Sequence, residues 1–365
     1  MKKVLAIVLA SVMVLSLAGC GTAAKATPEQ KEATSEAVTA VTEKVEEKTT
    51  TADSTEYKLC CYWPAPDTYF DSYVKKGFEA FESEYGRPVE WMVGTDWTQD
   101  IENQSVEALA AQGYDLFFIF GADTTGANAL YKELYDAGCE VVNYAGCVDD
   151  PQESALTYAS DVYQMGYDSA KLLIEYMGGE GKLINILENL NDVNTKKRQA
   201  GVEAAVAEHP GVEIIQTVGD IATVDEGFEK ISDAIAANPD ADAIITTGGT
   251  ASIALANALS DYYGSNKDAK HLYAATVDQS EEVMNAIKAG YLDHTLAQNG
   301  FGQGYLSALT LCYLKDGWEP AEWGKHIDSG SLKITKDNVD SWQGDIEKLT
   351  QDIKGRLETE ILVKP

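Results

Sequence analysis

The chain has 365 residues, more than one hydrophobic core usually serves, so two domains are the default. Its formal net charge is -31, with 28 Lys and Arg against 59 Asp and Glu. That balance excludes a nucleic-acid footprint, which needs clustered cations, and a surface that adheres to anionic lipid.

The first twenty residues read as a leader and not as part of a fold. Lys2 and Lys3 form a positive start, Val4 to Leu15 is an apolar run too short to span a bilayer, and Leu17-Ala18-Gly19 supplies small residues before Cys20. Leu17-Ala18-Gly19-Cys20 resembles the bacterial lipobox, which implies that Cys20 is lipidated, becomes the mature N-terminus and anchors the protein to the membrane. From Gly21 to Thr55 the composition turns to Thr, Ala, Glu, Lys and Ser, with no aromatic residue. Such a segment cannot bury enough surface to offset its ordering entropy, so 21–55 is expected to be a flexible tether.

The folded region is organised around its opening stretch, Tyr57 to Phe81. Leu59 to Tyr62 has the length and composition of a buried strand, which Pro64 and Pro66 terminate. Asp67 is placed to cap a helix whose apolar residues, Phe70, Tyr73, Val74, Phe78 and Phe81, fall on one face. The loop between strand and helix carries Trp63, Asp67 and Tyr69. In open α/β sheets, ligands sit beyond the carboxyl ends of the strands, where this loop lies.

Further apolar runs follow at Val89–Val93, Leu116–Phe120, Val141–Tyr144, Leu183–Leu187, Val212–Thr217, Ala243–Thr247 and Leu272–Val277. Most are continuous and not alternating, as parallel strands covered on both faces require. Amphipathic stretches separate them, so the fold class is α/β with right-handed crossovers, in two doubly wound lobes. The residues after each run are Trp63 and Asp67; Asp96 and Trp97; Gly121 to Asp123; Ala145 and Gly146; Asn189 and Asn191; Gly248 and Gly249; Asp278 and Gln279. Singly, each reads as a helix cap or turn former. Repeated at so many strand ends, aromatic rings, carboxylates and amides suit a polyol, whose hydroxyls pair with the polar groups and whose C–H face covers an indole or phenol.

Catalytic signatures are missing: no nucleophile elbow, no HExxH, and Gly178-Gly179-Glu180-Gly181-Lys182 lacks the spacing and the hydroxyl of a phosphate loop. His209, His271, His294 and His326 are scattered, which reads as surface or capping positions. Cys60, Cys61, Cys139, Cys147 and Cys312 read as small buried hydrophobes, with no metal-ligand spacing. Neither an enzyme, a cofactor nor a metal is expected.

Several pieces together resemble a known family: Tyr69-Phe70 with Gly77; Ala159-Ser160-Asp161 with Gly166; Arg198-Gln199-Ala200-Gly201; Asp278 after Val277; and Leu296-Ala297-Gln298 with Gly304. With the lipobox, they are similar to the substrate-binding lipoproteins of bacterial ABC importers, of the ribose and galactose type. The resemblance implies a periplasmic binding protein type I fold, two lobes joined by a three-segment hinge near Ala159, Gln298 and Ile327. The first lobe would take 56–159 plus 299–326, the second 160–298 plus 327–336, and 337–365 would be a tail with one helix. It implies that Tyr69 and Phe70 line a sugar pocket, that Asp161 lies near the first crossing, that Lys196 contacts hydroxyls, and that Asp278 and Gln298 bond the ring. Trp63, Trp97 and Asp123 join them from their strand-end positions. Two departures stand out: Ala145-Gly146 replaces the usual Asp-Arg, and Gly248 or Gly249 replaces an Asn. The ligand is therefore a different polyol, a modified sugar, a furanosyl signal molecule or a nucleoside, the last favoured by Tyr114-Asp115. The implied partners are that small molecule and an ABC permease; the protein would be a monomer, with a sensor feeding a chemoreceptor or kinase as the rival reading.

Overall fold

The computed structural model describes residues 57–66, 69–190, 192–266 and 268–365. The expected leader, Cys20 and tether lie outside the described residues, as does Asp67. Two sheets organise the rest. The first takes β1 (Leu59–Trp63), β2 (Val89–Val93), β3 (Leu116–Ile119), β4 (Glu140–Tyr144) and β5 (Leu156–Ala159). Between them run a π-helical turn (Phe70–Val74) continuing into α1 (Lys75–Tyr85), then α2 (Gln99–Ala111) and α3 (Thr124–Asp136). The chain then builds α4 (Val162–Tyr176), β6 (Gly181–Ile186), α5 (Val193–Ala207), β7 (Val212–Val218), α6 (Val224–Ala237) and β8 (Ala243–Thr246). It continues through α7 (Gly249–Ser265), β9 (Tyr273–Val277), α8 (Glu281–Ala289) and β10 (His294–Gln298). It returns as α9 (Gly300–Lys315), β11 (Glu319–Pro320) and β12 (Lys325–Asp328), then ends in β13 (Ser331–Ile334), α10 (Trp342–Lys354), a π-helical turn (Leu357–Ile361) and β14 (Leu362–Val363).

Strand order is β12-β5-β4-β3-β1-β2 in one sheet, all parallel, and β13-β10-β9-β8-β6-β7 in the other, where only β13 is antiparallel. This is the two-lobed α/β fold of periplasmic binding proteins of type I. All eight apolar runs are strands. Among the described residues, four further strands of these two sheets, β5, β10, β12 and β13, fall outside that reading. β10 escaped because it is wholly buried yet polar: His294 meets Ser169 Oγ at 3.1 Å and Thr295 Oγ1 donates to the Asp278 carbonyl at 2.6 Å. His294 is thus a core residue and not a surface one; burial pushes its imidazole down to about 4. β12 and β13 escaped as edge strands with largely exposed polar residues.

Three adjacent connections join the sheets. Ser160–Asp161 follows β5, Asn299 follows β10, and Ser329–Gly330 follows β12. They are stitched to one another: Ser160 Oγ donates to the Gly330 carbonyl at 2.7 Å, Asn299 Nδ2 to the Ser329 carbonyl at 2.8 Å, and the Asp161 amide to Asp328 Oδ1 at 3.2 Å. Ile327 and Asp328, assigned by sequence to the second lobe, pair with Tyr158 and Ala159 in the first sheet. The third crossing therefore lies beyond them.

The tail lies across the hinge. Val339, Trp342 and Ile346 enter the core of the second sheet, whereas Ile353, Leu357, Ile361 and Leu362 enter that of the first. Between the two sets, Thr350 Oγ1 meets Asn299 at the second crossing, accepting from its Nδ2 at 3.1 Å. The tail is thus more than the single expected helix from Ile346 to Leu357: its helix starts a turn earlier, and β14 pairs with β11. Cys60, Cys61, Cys139 and Cys312 are buried thiols, and Cys147 is half-buried.

Candidate ligand-binding site

In the first lobe, a ring cluster grows from the carboxyl end of β1. Trp63, 2% exposed, lies 4.8 Å from Phe120, 6.1 Å from Tyr69 and 6.3 Å from Trp97, centroid to centroid. Trp97 is 46% exposed, so the cluster has a buried floor and a solvent-facing wall. The indole Nε1 of Trp63 is buried with no hydrogen-bond partner among the described residues. Phe70, expected to line the pocket, is only 1% exposed; its ring packs on buried Phe78, on half-exposed Trp91 and on Trp63. Helical spacing placed Phe70 on the buried face, and burial decided its role.

Phe120 was missed, and it answers the first departure from the family pattern. A Cβ on Gly146 would stand 2.1 Å from Phe120 Cε2, so the missing side chain is the space the ring occupies. Glu102 was missed as well. It is fully buried on α2; Oε2 accepts from the Ala122 amide at 2.6 Å and Oε1 from Gln99 Nε2 at 3.1 Å. Burial pushes its carboxyl up to about 7 against those two bonds. The contact pins the loop after β3, beside Asp123. Nothing in its polar neighbourhood, Asp100 to Gln104, marks it as a core acid.

Asp123 itself caps α3: its Oδ1 accepts from the amides of Thr125 at 3.1 Å and Gly126 at 2.7 Å. Asp161 caps α4 in the same way, accepting from the Gln164 amide at 3.0 Å, at the first crossing. Both are exposed, and both spend an oxygen on a cap. Tyr114 and Asp115, the pair that favoured a nucleoside, stand at the opposite, amino-terminal end of β3, where Asp115 pairs with Lys315.

In the second lobe a polar set forms. Asp278 follows β9 at φ 65, a left-handed conformation that costs a non-glycine residue energy and is retained where surroundings enforce it. Its amide donates to the Leu296 carbonyl at 2.8 Å, and Oδ1 accepts from Gln298 Nε2 at 2.7 Å. Gln298 is 8% exposed, so this charge-assisted bond fixes both side chains. Glu188, the first residue after the run Leu183–Leu187, was also missed. Its Oε1 accepts from the Thr250 amide at 3.0 Å, and a Cβ on Gly248 would stand 1.7 Å from its Oε2. The second departure is therefore also filled: Glu188 occupies the place of a side chain at 248. Burial raises the Glu188 carboxyl, Thr250 lowers it, the charge of Asp278 raises it, and Arg198 lowers it. Arg198 is 4% exposed; Nη1 donates to the Thr247 carbonyl at 3.1 Å, and its Nε is buried without a partner among the described residues. Asp192 caps α5 by accepting from the Thr195 amide at 2.6 Å, which places Lys196, exposed, on the first turn of that helix.

Tyr73 joins the two groups. Its ring lies 5.7 Å from Tyr69, and its hydroxyl donates to the Gln279 carbonyl at 3.0 Å, next to Asp278. Burial first, then the charges of Asp278 and Glu282, push that phenol up to about 12. Of the residues expected from sequence, the structure gathers Trp63, Tyr69 and Trp97 on one side and Asp278 and Gln298 on the other. A separate surface groove between α6 and α7, lined by Ile235, Pro239, Tyr262 and Lys270, is at the amino-terminal ends of β8 and β9 and shares no residue with this site.

The periplasmic binding protein domain matches residues 62–318 of the chain. A Rhizobium meliloti protein, provisionally named as rhizopine-binding, is 23% identical over 257 residues, 68% of this chain and 81% of that one. An ABC transporter solute-binding protein from Burkholderia graminis, solved with D-arabinose, superposes with a TM-score of 0.71 at 22% identity, covering 80% of this chain and 99% of that one. A solute-binding protein from Bacillus halodurans with bound myo-inositol gives 0.68 at 18% identity, with 80% and 99% covered. Such identities carry the fold, and the domain match over most of the chain carries the family. The chain belongs to the periplasmic binding protein family.

Proposed function

We propose that this protein is an extracytoplasmic solute-binding lipoprotein, anchored through Cys20, that captures a sugar or sugar-like polyol between its lobes and hands it unaltered to an ABC permease. The observation that carries the reading is the continuous path Trp63, Tyr69, Tyr73, Gln279, Asp278, which joins an aromatic wall on one sheet to a carboxylate and amide set on the other. The rings offer flat faces for C–H groups, and Asp278 and Gln298 offer a fixed acceptor and amide for hydroxyls. Closure about the three stitched crossings would bring both sets onto one ligand, with the hinge residues absorbing the rotation. Arabinose and myo-inositol, bound by two structural neighbours, are ligands of this chemistry.

The reading is tested by calorimetry with a panel of pentoses, hexoses and cyclitols. Asp278→Ala and Gln298→Ala each weaken binding at least tenfold, the loss expected when a hydrogen bond to a charged group, about 1.5–3 kcal/mol, is removed. Unchanged affinity in both variants, with the fold intact, removes them from the site.

A further inference from the structure

We infer that the polyol taken by this site carries a protonated amine in place of one hydroxyl, and that Glu188 is the residue that selects it. The inference rests on the reading above and narrows its ligand class. Glu188 Oε2 and Asp278 Oδ2 lie against consecutive backbone positions: a Cβ on Gly248 would be 1.7 Å from the first, and one on Gly249 would be 3.3 Å from the second. Two carboxylates therefore stand against neighbouring backbone positions at the ends of β6 and β9, near enough for the charge of Asp278 to act on Glu188, each held by its own bond, from the Thr250 amide and from Gln298 Nε2. A third acceptor stands at the same strand end. Gln279 is 6% exposed; its Nε2 donates to the Gln298 carbonyl at 3.3 Å, but its Oε1 is buried with no partner among the described residues.

The two carboxylates and the Gln279 side-chain oxygen can only accept. A hydroxyl brings one hydrogen and two lone pairs, so against it one oxygen is served and the others face lone pairs. An ammonium brings three hydrogens and no lone pair. It also places a positive charge between two carboxylates that otherwise repel each other. Arg198 lowers the Glu188 carboxyl and commits one donor, Nη1, to the Thr247 carbonyl, but Glu188, Asp278 and Arg198 together keep a net negative charge. Gly248 makes the arrangement possible: any side chain there would take the space that Glu188 fills.

The test is calorimetry on the full chain with paired probes: D-glucosamine against D-glucose, D-galactosamine against D-galactose, and an amino-deoxy-inositol against myo-inositol. At least one amine is expected to bind at least tenfold tighter than its hydroxyl parent, and Glu188→Gln, nearly isosteric, to cut that ratio at least tenfold. Parents that bind as well as or better than every amine overturn the inference on the unmodified protein alone, while leaving the polyol reading standing. So does an unchanged ratio in a Glu188→Gln protein that melts normally. If no probe of either kind binds, the polyol reading fails and this inference with it.

Discussion

Glu102 is the position where acid–base behaviour and site architecture meet. Its carboxylate is fully buried on α2 and holds the loop between β3 and the cap Asp123 by a 2.6 Å bond to the Ala122 amide. Burial is the largest influence on it, and the carboxyl is pushed from the ordinary 4.5 up to about 7. A folded-state value above the unfolded one means that the native protein binds the proton more tightly. The contribution is therefore complete below about pH 4.5 and is lost as the pH rises through about 7. The gap corresponds to about 3 kcal/mol. Glu102→Gln carries a neutral side chain of the same shape at every pH, and the other carboxylates titrate alike in both proteins. Their effects cancel in the difference between the two. Urea unfolding of both proteins at pH 4.5 and pH 8 should show the wild type losing about 3 kcal/mol relative to Glu102→Gln. Parallel pH profiles would refute the reasoning, because the carboxylate would then be ionised at no cost.

Two further outcomes follow from the same geometry. Gly146→Ala puts a Cβ at 2.1 Å from the Phe120 ring and must displace it; the ring lies 4.8 Å from Trp63, so the tryptophan emission spectrum should shift and ligand affinity should fall. An unaltered spectrum would show that Phe120 is not held there. Tyr73→Phe removes the bond to the Gln279 carbonyl that joins the lobes, worth about 0.5–1.5 kcal/mol, and should lower stability by that amount; equal stability in urea would mean that the contact contributes nothing.

The fold was legible because both faces of both sheets are covered, which makes strands such as Leu116–Ile119 continuously apolar. β10 was not legible, because its buried polar residues meet partners such as Ser169, over a hundred residues away in the chain. In the site, Asp278 stands at a strand end marked in the sequence, Gln298 was reached through the family resemblance, and the two are bonded to each other. Asp123 was marked by its strand end and Asp161 by the resemblance, yet their oxygens serve helix caps, the ordinary use of an aspartate there. What escaped were the residues that fill an absence. Gly146 and Gly248 were visible as missing side chains, but a glycine does not say which distant group enters the space it leaves. Phe120 and Glu188 do so, and only coordinates connect them. Glu188 stood one position from Asn189, at a strand end already singled out, so its neighbourhood was legible although its role was not.

The central claim is that two sheets present their strand-end residues to one ligand. A crystal structure of the protein with the polyol that binds most tightly tests it most directly. An intact molecule with its C–H face against the Trp63, Tyr69 and Trp97 rings and its polar groups on Asp278 and Gln298 is the predicted result. A ligand seated elsewhere, or touching the residues of one lobe alone in a closed form, would contradict it.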